Sequence, residues 1–282
     1  YFDAIFGANY GQKDIRGWLI PTMAEIAFID FVPQQETVMF ETANGSAMID
    51  EWQMVATFGD MKIPLAPGIS IRRFEDGWMT WVADVYDTVS SRTPPPPGTP
   101  LPEGMPEPGP LPDYPEMNWP TVDLGEPTPL SAAATAWADS RIEAHGESGA
   151  GQVDTVSGLS NDDLHALHNH PVLGHNFDLI ADMLHPTDSV YIDPIFGRFE
   201  GQQDIREWLT DIMGKMGNIA FEPISEILWN GSTSVQMWKQ VAVVPDDSKV
   251  EMSWGASVRR FENGWLTYCA DYFDAFSMQK PE

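Results

Sequence analysis

Two aspartates stand at matching places in two distant but similar phrases, Asp84 in WVADVYD (residues 81–87) and Asp271 in YCADYFD (268–274). Both phrases read as strands, in which successive side chains alternate between faces. That period puts Asp271 on one face with Thr267, Cys269 and Phe273, and Leu266, Tyr268, Ala270 and Tyr272 on the other. Asp84 likewise shares a face with Thr80, Val82 and Tyr86. A carboxylate among small or apolar groups loses hydration, which raises its pKa and suits it to move protons near neutral pH. Two Tyr-x-Asp stretches add polar groups, with Tyr1 and Asp3 in one and Tyr191 and Asp193 in the other at i and i+2 on one strand face. Two carboxylates converging in one pocket push their pKa values apart, making one acid and one base. Asp87 and Asp274 fall on the opposite face and read as structural.

Histidine is the other proton carrier, and all six lie between His145 and His185. His165 and His168 are i, i+3 on a helix and, with His170 or His175, could ligate a metal. Pro171 interrupts that helix and no HExxH spacing is present, so no metal is expected. His175 is the preferred pocket histidine, because Phe177, Ile180, Ala181 and Leu184 define the core side of the segment after it. The lone Cys269 excludes an intrachain disulfide framework and reads as a small core residue on the face of Asp271.

The elements that position these groups occur twice. Residues 1–23 and 191–213 share 13 identities, residues 70–87 and 257–274 share 11, and residues 44–56 match 230–242. The chain is a tandem duplication. In GQQDIREWL, Asp204 sits where a helix N-terminus favours a carboxylate, and Ile205, Trp208 and Leu209 follow at i, i+3, i+4. Asn44-Gly45, Asn230-Gly231, Asp76-Gly77 and Asn263-Gly264 predict tight hairpin turns with positive φ between antiparallel strands. Trp18 and Trp208, like Trp52 and Trp238, recur in register and read as core filling or as a wall for an aromatic ligand. Arg72-Arg73 and Arg259-Arg260 alternate along a strand, so one of each pair faces out and forms surface bridges.

Between the copies, 14 prolines from Pro94 to Pro129 exclude helix and interior strand, leaving an ordered wrap or stiff spacer anchored by Leu111, Tyr114, Met117 and Trp119. Helices at about 131–145 and 161–184 precede the second copy's first strand. The first copy begins at that strand, so either its helices lie upstream and are missing here, or the 131–145 helix packs on it in their place. The formal charge of −27 repels phosphate and anionic lipid, which argues against nucleic acid and membrane partners. No apolar run reaches the length of a membrane span. A cytoplasmic location is expected; the chain opens at Tyr1 without Met, which leaves a removed signal segment open.

Helices, a Tyr-x-Asp strand, a Gly-x-x-x-Ile-x-x-Trp-Leu helix and a sheet closing in RRFE-(Asp/Asn)-Gly-Trp and Ala-Asp-Tyr-Phe-Asp together resemble the SnoaL-like branch of the nuclear transport factor 2-like superfamily. The resemblance covers roughly residues 1–90 and 160–276. It implies an α+β fold of two cone-shaped domains, each a curved antiparallel sheet wrapped around helices. Their bounds would be 1–92, without N-terminal helices, and 130–282, with a helical lid, joined by a connector at 93–129. It also implies face-to-face packing as an internal pseudo-dimer, open to further homo-oligomerisation.

The superfamily hosts cyclases, isomerases, epoxide hydrolases, dehydratases and non-catalytic binders. Asp271 and Asp84 match the catalytic Asp of SnoaL-like cyclases and limonene epoxide hydrolases, and Tyr191 matches a tyrosine that helps hold water in those hydrolases. Asp193 and Asp3 replace their Asn. Trp238 and Gln240, or Trp52 and Met54, stand where the hydrolases carry an Arg-x-Asp pair, which makes epoxide opening the third reading. The first is a cofactor-independent acid/base enzyme, of isomerase, lyase or cyclase type, for a small hydrophobic, oxygenated cyclic or aromatic molecule. Its catalytic residues would be Asp271, Asp84, Asp193, Tyr191 and His175, and its pocket walls Trp208, Trp238, Cys269, Phe273, Tyr86, Trp52 and Asp3. The second is a binding or structural tandem module.

Overall fold

A computed structural model of the chain describes residues 1–3, 7–25, 28–58, 60–87, 122, 124–148, 158–173, 176–212, 219–243 and 249–274. Most of the Pro-rich connector, with all four of its expected anchors, lies outside these residues, as does His175. The chain divides into two compact units, each built on a seven-stranded mixed sheet with helices, and the fold is α+β.

The first unit runs β1 (Phe2–Asp3), β2 (Gly7–Ala8), α1 (Gly11–Glu25), β3 (Ile29–Pro33), β4 (Val38–Thr42), β5 (Gly45–Phe58), β6 (Met61–Glu75) and β7 (Trp78–Tyr86). Its strand order is β2-β1-β7-β6-β5-β3, with β4 also on β5. The second copy runs α2 (Ala132–Ser148), α3 (Asn161–His168), α4 (Phe177–Asp182), β8 (Val190–Asp193), β9 (Gly197–Glu200), α5 (Gln202–Asp211), β10 (Ile219–Pro223), β11 (Leu228–Trp229), β12 (Thr233–Val243), β13 (Lys249–Glu262) and β14 (Trp265–Phe273). Its order is β10-β12-β13-β14-β8-β9, with β11 on β12. The sheets are not wholly antiparallel: β1 pairs parallel with β7 and β8 with β14, joining the first and last strands of each copy.

Local sequence accounts for several boundaries. Gly201 (φ 80°) breaks the chain before α5, Asp204 sits in its first turn, and Ile205, Trp208 and Leu209 are buried as their spacing predicts. Ser160 and Asp163 form a reciprocal capping box on α3. The helical stretch over 161–184 falls into α3 and α4, and α3 ends before Pro171, which supplies no amide to continue it. Asp76-Gly77 and Asn263-Gly264 take positive φ at both positions, as tight hairpins require. Asn44-Gly45 corrects the expectation. There Thr42 pairs with Gly45, so Ala43 and Asn44 make the turn, and Gly45 is needed because a Cβ would sit 2.0 Å from the Phe74 carbonyl oxygen.

The helices of the second unit close one apolar core. Trp137 and Ala138 of α2, Leu164 and Leu167 of α3, Leu179 of α4, and Ile205, Trp208 and Leu209 of α5 meet Tyr191, Phe261, Leu266 and Cys269 of the sheet. The 131–145 helix thus belongs to the second copy. Ile15, Trp18 and Leu19 of α1, the counterparts of Ile205, Trp208 and Leu209, stay half-buried.

Candidate active site

A cavity of about 480 Å³ opens in the second unit between α3, α4 and α5 on one side and the inner face of the sheet on the other. Asp271 of β14 stands in its wall beside Tyr191 of β8, Ser257 and Arg259 of β13 and Trp238 of β12. These five side chains are joined. The Tyr191 hydroxyl donates to Asp271 Oδ2 at 2.5 Å, while Ser257 Oγ (2.5 Å) and Arg259 Nη2 (2.9 Å) donate to Oδ1. Trp238 Nε1 donates to Ser257 Oγ at 2.8 Å, completing a relay from indole to hydroxyl to carboxylate. Oδ1 therefore has both acceptor positions filled, and Oδ2 keeps one open.

Strand register brings these residues together. Tyr191 is the Cα partner of Cys269, so its ring reaches the residue two further along β14. The Phe261 amide donates to the Ser232 carbonyl at 2.8 Å, which in an antiparallel ladder sets Ser234 opposite Arg259 and Gln236 opposite Ser257. The first sheet has the same register, Ser46 opposite Phe74 and Asp50 opposite Ser70. One polar row thus crosses four neighbouring strands, Tyr191, Asp271, Ser257 and Gln236.

Burial shapes the chemistry of each member. It raises the Tyr191 phenol well above its usual range, and the Asp271 carboxylate adds to this, so Tyr191 is a hydrogen-bond donor and not a base. Burial alone would lower the Arg259 guanidinium, but Asp271 more than reverses this and Arg259 stays charged. Burial pushes the Cys269 thiol up to about 12, which leaves it inert.

The first copy repeats the relay with one change. Tyr1 donates its hydroxyl to Asp84 Oδ2, Ser70 donates to Oδ1 at 2.5 Å, and Trp52 Nε1 donates to Ser70 Oγ at 2.9 Å. Arg72, the counterpart of Arg259, pairs instead with Asp50 on β5. Position 50 matches Gln236 in the internal alignment, so an acid in one copy is an amide in the other. Burial raises the Asp84 carboxyl above its usual range, with Ser70, Tyr1 and Arg72 opposing. Tyr86 is buried and Asp84 half-buried.

The other expected site residues divide. Asp193 is buried but turned into its own loop, where Oδ1 accepts the amides of Ile195 (2.8 Å) and Phe196 (2.9 Å), and it is not in the cavity wall. Asp3 accepts from Tyr86 at 3.1 Å. Trp208 packs under Tyr191 (4.6 Å between centroids) and Phe199, and with Cys269 and Phe273 it lies outside the cavity wall. Trp238 lines the cavity and packs edge-on against Phe221.

Most wall residues were not among those expected there, Ser257, Arg259 and His168 included. Ser257 and Ser70 open the repeated Ser-x-Arg-Arg-Phe-Glu phrases, and their recurrence was the available signal. Arg259 faces inward, while Arg260 stacks on Tyr268 at 4.4 Å. His168, and not its helical neighbour His165, lines the cavity. His165 stacks on Trp229 at 4.1 Å, so the two rings do not form one ligand set. Burial and the charge of Arg259 depress His168 to about 3, which keeps it a neutral imidazole.

No family model and no curated protein matches this chain. Among solved structures it is similar to a putative SnoaL-like polyketide cyclase from Shewanella putrefaciens CN-32, with 16% identity over 55% of this chain and 96% of that one and a TM-score of 0.36. It is also similar to an LEH-like epoxide hydrolase of M. tuberculosis, with 21% identity over 51% and 87% and a TM-score of 0.29. A putative isomerase of the SnoaL-like family from Agrobacterium tumefaciens str. C58 is similar at 14% identity over 50% and 99%, with a TM-score of 0.28. Each covers about half of this chain.

Proposed function

We propose that the second unit is a cofactor-independent acid/base enzyme, of isomerase, lyase or cyclase type, for a small hydrophobic, oxygenated cyclic substrate. The observation that supports this reading most is the Asp271 carboxylate in the wall of an open cavity, with Oδ2 still able to accept a proton. Asp271 takes a proton from a carbon next to a substrate carbonyl. As its charge is neutralised, it loosens its hold on the Tyr191 hydroxyl, which then donates to the developing enolate oxygen. Ser257 and Trp238 keep the carboxylate oriented, and Arg259 Nη2 holds its Oδ1 in place.

The test is deuterium uptake into the α-carbon of 1-tetralone and its hydroxy derivatives in D₂O, followed by mass spectrometry. The wild-type chain is expected to exchange above buffer. Asp271→Asn is expected to lose about 10²- to 10⁴-fold while still binding the ketone. Binding without exchange, or exchange unchanged in Asp271→Asn, overturns the reading in favour of a binding module.

A further inference from the structure

Among the described residues of the cavity wall, the one carboxylate and the one guanidinium are spent on each other: Arg259 is bound to Asp271. The remaining polar groups of its sheet wall and of the α3 end that faces it are uncharged. Gln236 ends the polar row, directly across from Ser257, and its side chain makes no hydrogen bond to a described residue. Ser234, two residues earlier on the same face of β12, also has none for its hydroxyl. His168 packs edge-on against Phe261, whose amide binds Ser232, so the imidazole stands at the Ser234 end of the row, again with no hydrogen bond. A polar group walled in by Trp238, Phe177, Ile180 and Leu209 costs free energy until something pairs with it.

The geometry points to a second, neutral subsite formed by Gln236, Ser234 and His168, which takes a hydroxyl or carbonyl oxygen of an uncharged substrate. Gln236 and Asp271 sit two strands apart, about 10 Å from Cα to Cα at the usual strand spacing. A bicyclic molecule with oxygen at both ends spans that gap, one end on Asp271 and Tyr191 and the other on Gln236. The internal repeat supports a role in selection. At the matching position the first copy carries Asp50, which is occupied by Arg72, so an open amide end belongs to the second copy alone. Gln236 is therefore a specificity-determining residue, flanked by Ser234 and His168. This inference rests on the acid/base reading only in placing the other end of the substrate at Asp271.

Calorimetric titration of the whole chain with 1-tetralone, its 5-, 6- and 7-hydroxy derivatives and a 6-carboxy derivative tests it. At least one hydroxy isomer is expected to bind about tenfold tighter than the parent ketone, the worth of one buried hydrogen bond, and the carboxylate weaker than either. Gln236→Leu or His168→Phe should bring the hydroxy isomer down to the affinity of the parent. Asp271→Asn should leave the preference in place. If His168→Phe does not fold, Gln236→Leu alone decides. Equal affinity for every isomer, no binding of any ketone up to its solubility, or a preference that survives Gln236→Leu overturns the subsite. Preference without deuterium exchange sinks the acid/base reading and keeps the subsite; exchange without preference does the reverse.

Discussion

Arg259 Nη2 lies 2.9 Å from Asp271 Oδ1, whereas its counterpart in the first copy, Arg72, is bound to Asp50 and leaves Asp84 to its hydroxyl donors. Two acids in the same phrase, each bound by a Ser and a Tyr, thus differ in whether a cation sits on them. A buried ion pair contributes little net stability, because desolvation offsets the attraction. Its consequence is geometric: it occupies Oδ1 of Asp271 and leaves the contacts of Asp84 to hydroxyl groups.

The change of arginine partner goes with a change of residue at position 50/236, Asp in the first copy and Gln in the second. Asp50→Gln should release Arg72 toward Asp84 and lower the Asp84 carboxyl by about one to three pH units, the usual effect of an adjacent guanidinium. Carbon-detected NMR titration of side-chain carboxyls reads this directly. An unmoved Asp84 titration would show that backbone geometry, and not residue 50, routes the arginine.

On the acid/base reading, Ser257 would act by orienting Asp271, whose Oδ1 it binds. Ser257→Ala leaves Trp238 Nε1 without its acceptor and removes one of two donors from Asp271 Oδ1. A stability loss of about 1–3 kcal/mol in urea melts is expected for the hydrogen bonds lost between Ser257 and its two partners. Proton exchange should slow with little change in ketone affinity. Equal loss in kcat and affinity would argue that Ser257 contacts the ligand.

Acid should destabilise the second unit through its histidines. His168 falls to about 3 and His165 to about 4 in the fold, both chiefly through burial, against an unfolded value of 6.5. Their contribution to stability is fully present above pH 6.5 and is lost as the pH falls toward those folded values, since only the unfolded chain takes up the protons. For His168 the slope is about 1.4 kcal/mol per pH unit over that window. His168→Phe should flatten the melting temperature between pH 6.5 and 4 relative to wild type.

Asp182 is buried and bound twice, by Arg206 Nη2 at 2.5 Å and by His145 Nε2 at 2.7 Å, which ties α2 and α5 to α4. Removing the arginine strands that carboxylate. Arg206→Ala is expected to cost about 3–5 kcal/mol, and the doubly neutral Arg206→Met with Asp182→Asn should recover part of it. Chemical denaturation of the two variants makes the comparison.

Much of this molecule was readable from the residues alone. Repeats of 13 and 11 identities exposed two copies, Asp-Gly and Asn-Gly marked the last hairpin of each, and the spacing of Ile205, Trp208 and Leu209 marked the buried face of α5. Tyr191 and Asp271 stood among the candidate site residues through period 2 and the resemblance, and the hydrogen bond between them is what the structure adds. These are local signals, carried by backbone preferences and by which side chains avoid water.

What remained depends on register and on choice among partners. Ser70 opposes Asp84 only because a bulge near Arg73 shifts the β6–β7 ladder by one residue, and nothing in RRFEDGW announces it. Asp193 could have entered the pocket or capped its own turn, and two nearby amides won. Arg72 and Arg259 occupy identical phrases, yet each pairs with the acid that folding brought within reach, one on β5 and the other on β14. An amino-acid sequence states which charges and hydrogen-bonding groups exist; which of them meet is settled when strands far apart in the chain come to lie about 4.8 Å from one another.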